Sequence, residues 1–136
     1  MQGNARVYLK AGAIMDADEL LQRYAAGERD FTKANLAQAK LIGANLVGIK
    51  LWGADLSGAN LAKAKLWGAN LCGANLVKAN LTRANLCGVN LVEANLRQAK
   101  LQQTKLYGAN LSGACYDSST RFSPDFDPVS KNMRRV

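Results

Sequence analysis

ADLSGANLAKAKLWGANL, residues 54–71, decides the fold. Leucine returns at every fifth position, Leu56, Leu61, Leu66 and Leu71, with alanine two places before each. Outward from this stretch the phase holds without insertion or deletion. It runs back through Leu51, Leu46, Leu41 and Leu36 to Phe31, and forward through Leu76, Leu81, Leu86, Leu91, Leu96, Leu101, Leu106 and Leu111 to Tyr116. Ile49, Val89 and Thr104 replace the alanine along the leucine run. The residue just before the leucine is mostly asparagine and otherwise lysine or aspartate, and glycine stands two places after it in nine repeats.

A period of five suits neither regular element. On a helix each step of five advances about 500°, which would spiral the leucines over every face. On a flat strand an odd period would put successive leucines on opposite sides of the sheet. All of them point inward only if the chain turns a corner in every repeat. Glycine supplies the positive φ that a corner needs, and asparagine the side chain that bonds its own backbone. The expected fold is a solenoid, a closed coil that stacks on itself, whose structural core is Phe31 and the leucines from Leu36 to Leu111. A lone coil of this kind buries too little to fold, so the coils must stack.

The composition narrows the function. The chain has 136 residues, enough for one ordinary domain, and no apolar run approaches the roughly 18 residues that span a bilayer, so no membrane association is expected. It contains no histidine, which removes the commonest general base and metal ligand. Cys72, Cys87 and Cys115 are odd in number and lack CxxC spacing, so neither a disulfide framework nor a zinc site is expected. Thiols used this way, and the lack of an apolar stretch ahead of Met15 (itself a candidate start), point to a cytoplasmic protein. Ser57, Ser112 and Asp55 have no base or orienting group beside them in the motif. The expectation is no catalytic residue, no metal and no cofactor.

The A-(N/D/K)-L-x-x pattern over residues 30–118 resembles the pentapeptide repeat family, in its cyanobacterial form. That resemblance implies an all-β solenoid, a right-handed quadrilateral β-helix with four repeats per coil. Hexapeptide left-handed β-helices have the wrong period. Residues 1–29 then form an N-terminal extension and capping helix, with the helix at 17–26: Asp16 and Glu19 make a capping box, Leu20, Leu21 and Tyr24 an apolar stripe, and Gly27 a stop. The lead-in from Glu19 to Phe31 also resembles these proteins. Residues 119–136 form a C-terminal capping loop and tail, closed by Phe122 and Phe126 between Pro124 and Pro128, with Lys131 to Val136 frayed.

With twenty residues per coil, positions twenty apart stack at roughly 4.8 Å. Val47, Trp67 and Tyr107 then share one column and Trp52 and Val92 the next, a candidate interaction face that reads as weakly charged and apolar. Lys40, Lys63, Arg83 and Lys100 fall on the opposite side, a candidate polyanion face with no ring among its cations. Between positions 30 and 116 there are ten basic and three acidic residues, a net +7. Some family members resemble B-form DNA and bind DNA gyrase, but that mimicry needs an acidic surface, so the basic sign here argues against it. The leading expectation is a non-catalytic interaction or scaffold protein with a protein partner, self-association included. The alternative is weak, non-specific binding of nucleic acid or another polyanion.

Overall fold

The structure, a computed structural model, describes residues 12–136. The first eleven residues, most of the N-terminal extension, lie outside the described part. From residue 30 the chain returns onto itself every twenty residues through parallel bridges. Asp30 pairs with Lys50 and then Lys50 with Asn70, Asn35 pairs with Asp55, Lys40 with Asn60, and Asn45 with Lys65. The same spacing continues to Asn95 and Cys115. Each straight segment is only about three residues long, so the ladder is built from isolated bridges rather than long strands.

One repeat shows how the sequence makes this geometry. The N–H of Leu56 donates to the carbonyl of Asn75 in the next coil at 2.7 Å, and the N–H of Asn75 donates back to Ala54 at 2.9 Å. Alanine and leucine, two apart, both point inward: Ala54, Leu56, Ala74 and Leu76 are fully buried. Then the chain turns. The Ala59 N–H donates to the Leu56 carbonyl at 3.0 Å around Gly58, whose φ is +66°. A positive φ at the third residue of such a turn is what a type II geometry demands. Four corners complete a coil.

The four sides are numbered in chain order. Side 1 carries leucine-phase positions 31, 51, 71, 91 and 111; side 2 carries 36, 56, 76, 96 and 116. Side 3 carries 41, 61, 81 and 101, and side 4 carries 46, 66, 86 and 106. Every leucine-phase residue from Phe31 to Leu101, and Leu111, is buried. Leu106 departs from the expectation and is only half-buried, because the C-terminal segment adds its strands over sides 3 and 2 and not over side 4.

At the N-terminal end Met15 is buried and its N–H donates to Asn35, adding a strand residue to side 2. Helix α1, Ala17–Ala25, follows. The carboxylate of Asp16 accepts the Glu19 N–H at 2.8 Å, as an N-cap should, and Gly27 adopts φ +102° after the last turn. Leu20 is fully buried while Leu21 and Tyr24 pack on the core. Tyr24 also repairs an edge. In later coils a corner carbonyl receives an N–H from the coil before it, as Trp67 does from Gly48. Val47, in the first coil, instead accepts the Tyr24 hydroxyl at 2.7 Å.

At the other end strand β1 (Lys100–Leu101) pairs with β3 (Arg121–Phe122), and β2 (Cys115–Tyr116) pairs with β4 (Arg134–Arg135), all parallel. The tail is therefore ordered, which corrects the expectation of a frayed Lys131–Val136: Met133 is buried and the Val136 N–H donates to Tyr116 at 2.9 Å. Unpaired backbone at the top of side 2 draws the tail onto it. Phe122 and Phe126 stack with centroids 4.7 Å apart, and Phe122 meets Tyr116 edge-on at 5.6 Å. Thr104 and Thr120 occupy alanine positions, and their hydroxyls donate to the carbonyls of Leu81 and Leu96.

Candidate functional site

The outside of the coil is set by two positions per repeat, the residue before the leucine and the residue after it. Where asparagine precedes the leucine, its side-chain oxygen accepts the N–H two residues on, as Asn70 does from Cys72 at 3.0 Å and Asn80 from Thr82 at 3.0 Å. That bond braces the corner and also fixes the amide's orientation, since only the oxygen can accept from an N–H. The amide nitrogen is left facing outward. Among the described residues, of the asparagines before a leucine only Asn35 donates from its side-chain nitrogen within the chain, to Gly12. The asparagine columns thus present donors to whatever lies outside.

Side 3 gathers the candidate polyanion residues. Lys63 and Arg83 stack in one corner column, both at positive φ of 61°, and Lys100 stands on the flat of the same side two coils above Asn60. Together with Asn80, Thr82, Gln102 and Gln103 they line a shallow groove of about 400 Å³ that contains no carboxylate. Arg83 Nε donates to Gln103 Oε1 at 2.7 Å, which holds the guanidinium along the groove. Lys40 lies on the same side in the first coil, outside the groove lining. Lys78 and Arg97 belong to neighbouring side 2.

The candidate interaction face spans sides 4 and 1. Trp67 and Tyr107 share the corner column between these sides with Val47 and Cys87, and Trp52 heads the corner after side 1 with Cys72 and Val92. Trp52 is 45% exposed, Trp67 43% and Tyr107 89%, whereas Val47 and Val92 are half-buried. The rings do not form a weakly charged apolar sheet. Lys50, Lys65 and Lys105 are exposed two residues before Trp52, Trp67 and Tyr107, and Lys33 Nζ lies 5.2 Å from the Trp52 ring centroid. The signal for this pairing is a recurrence of Lys-Leu-aromatic, present in the sequence at residues 50–52, 65–67 and 105–107.

A second cleft of about 400 Å³ opens at the C-terminal end beside half-buried Leu106, lined by Thr104, Tyr107, Phe122, Phe126 and Lys131 among others. Among the described residues no group of histidine, cysteine or carboxylate side chains could hold a metal ion, and no helix is long and apolar enough to cross a membrane.

Comparison with known proteins agrees with this geometry. The sequence pattern of the family described as Pentapeptide repeats matches in eight copies between residues 30 and 115. A pentapeptide repeat protein from Nostoc PCC 7120 is 37% identical, with a TM-score of 0.64 over 90% of this chain and 98% of its own. Another, from the cyanobacterium Cyanothece 51142, is 44% identical, with a TM-score of 0.68 over 68% of this chain and 63% of its own. A third, from the Arabidopsis thaliana thylakoid lumen, is 28% identical, with a TM-score of 0.53 over 77% of this chain and 74% of its own. No curated protein sequence matches the chain. The unbroken five-residue phase, the twenty-residue return and these likenesses agree: the chain belongs to the pentapeptide repeat family.

Proposed function

We propose that the chain is a non-catalytic interaction module, a right-handed quadrilateral β-helix with α1 as its N-terminal cap, whose outer columns hold an anionic macromolecule. The observation that carries this reading is the side 3 groove, where Lys63, Arg83 and Lys100 converge among amide and hydroxyl groups with no carboxylate in the lining. A cationic lining to which amides and a hydroxyl add further donors suits the acceptor oxygens of phosphates or carboxylates. Cytoplasmic residence fits the three free thiols.

Fluorescence anisotropy of a labelled duplex DNA, titrated over a series of salt concentrations, tests the reading. Three cations releasing counterions predict a log–log salt slope of roughly −3. Lys63→Glu combined with Lys100→Glu should weaken binding at least ~10-fold, a phosphate-contact effect felt uniformly across sequences. Absence of binding at low salt overturns the proposal.

The exposed rings of Trp52, Trp67 and Tyr107 support a second reading, a protein partner or a second copy of the chain on sides 4 and 1. Large apolar side chains exposed on one side of a protein commonly mark a contact. In that case replacing the three rings by serine abolishes partner capture and leaves the circular-dichroism spectrum unchanged.

A further inference from the structure

The residue before each leucine tracks the kind of side chain that stands after it. Ile42, Trp52, Trp67 and Tyr107, the large apolar side chains exposed at this corner position, all follow a lysine. After asparagine or aspartate the same position never holds anything larger than valine, Arg97 excepted. The two kinds of corner differ in one hydrogen bond. An asparagine oxygen folds over the corner to accept the N–H of that very residue, as Asn75 does from Val77 at 3.1 Å. Lysine cannot accept that N–H, so its corner lacks the brace, although the brace alone does not exclude a long side chain, since the Arg97 N–H is bonded to Asn95 Oδ1 at 3.2 Å.

Three of these lysines stand two residues before an exposed aromatic ring, and all three pairs fall on sides 4 and 1: Lys50–Trp52, Lys65–Trp67 and Lys105–Tyr107, while Lys33 Nζ lies 5.2 Å from the Trp52 ring centroid. Trp67 and Tyr107 stand two coils apart in one column, roughly 10 Å at 4.8 Å per coil. Beside them run Gly48, Gly68, Gly88 and Gly108, at φ between +68° and +73°, a floor with no side chains. Between the Trp67 and Trp52 columns lie the outward amides of Asn70 and Asn90, whose oxygens are already bonded to Cys72 and Val92.

We infer that sides 4 and 1 form a binding surface for single-stranded nucleic acid, resting on the anion-binding reading above. Rings repeated at intervals, each with a cation within reach and donors between, match a polymer that alternates planar bases with phosphates. A duplex hides its base faces in its own stack, so it can use the lysines but not the rings. An acidic polypeptide offers anions without the regular planar groups. Side 3 has cations and no ring, which leaves it indifferent to strandedness; sides 4 and 1 carry the preference.

The test titrates labelled oligo-dT, and a duplex of equal length, into the full chain at one salt concentration, reading anisotropy and tryptophan emission together. The expected result is tighter binding of oligo-dT by at least ~10-fold, with quenching of the emission, since unpaired bases stack on exposed rings. Trp67→Ser with Tyr107→Ser should remove that margin and leave duplex binding unchanged, while Trp67→Phe retains most of it. Equal affinity for the two strands, or a serine variant that keeps the margin, overturns the inference and leaves the anion-binding reading standing. No binding of either overturns both. Binding to phosphatidylserine vesicles with none to oligo-dT assigns the surface to a membrane and also overturns it.

Discussion

Asn75 and Lys78 place opposite demands on one corner of side 2. Asn75 braces it through its 3.1 Å bond to the Val77 N–H, whereas Lys78 occupies the left-handed region at φ +62°, where an L-residue is strained by about 1–2 kcal/mol. Asn75→Ala should therefore lower stability by about 1 kcal/mol, read from the urea midpoint. Lys78→Gly should raise it by up to about 1 kcal/mol, the relieved strain being partly offset by glycine's larger entropy loss. Turn chemistry at the asparagine and glycine positions was legible in the sequence. That lysine, arginine, glutamate and glutamine would accept the same positive φ, as at Lys63, Arg83, Glu93 and Gln98, was not. Hydrogen bonding between coils holds those residues where their own preference would not.

At the scale of elements, both ends depend on side chains standing in for a missing coil. Asp16→Ala should cost about 1 kcal/mol through loss of the α1 N-cap, seen as a lower thermal midpoint. Tyr24→Phe should cost a similar amount by leaving the Val47 carbonyl without its donor. At the C-terminal end desolvation pushes the Asp117 carboxyl up, but hydrogen bonds from the Gln98 and Ser119 N–H groups and from Thr120 outweigh it and hold it below its ordinary 3.8. A depressed carboxyl stabilises the folded chain above the unfolded value, and that contribution is lost as pH falls through the lower folded value. Acid should thus loosen the 117–120 turn first, measured as faster amide exchange at Ser119 to Phe122, and Asp117→Asn should remove that pH dependence. The helix was legible from the Asp16, Leu20, Tyr24 and Gly27 spacing. The ordered tail was not, because Arg134–Arg135 carries no periodic signal and is recruited only by the open edge of Cys115–Tyr116.

For the whole molecule, the binding surfaces exist only through the register of coils. Leu76→Ala, at a fully buried site in the middle of the stack, should cost about 3 kcal/mol or more and be felt as one cooperative transition. A sharper test separates fold from surface. Deleting residues 66–75 removes two repeats, keeps the five-residue phase, and turns everything above by two sides. The chain should still fold by circular dichroism, but Arg83 and Lys100 would leave the side that holds Lys63, and the side 3 contribution to duplex binding should fall with them.

The amino-acid sequence by itself determined the inward leucine and alanine core, a corner in every repeat and the helix before the first coil, because each follows from local spacing and backbone chemistry. The columns could be read from it once four repeats were assigned to a coil. What those columns amount to came only with the coils in place: a groove where Lys63, Arg83 and Lys100 meet, Lys33 brought against the Trp52 ring, Leu106 left half-covered and the tail paired. These features depend on residues about one coil apart in sequence being brought side by side, and on which edges the last coil leaves open. No local preference encodes that.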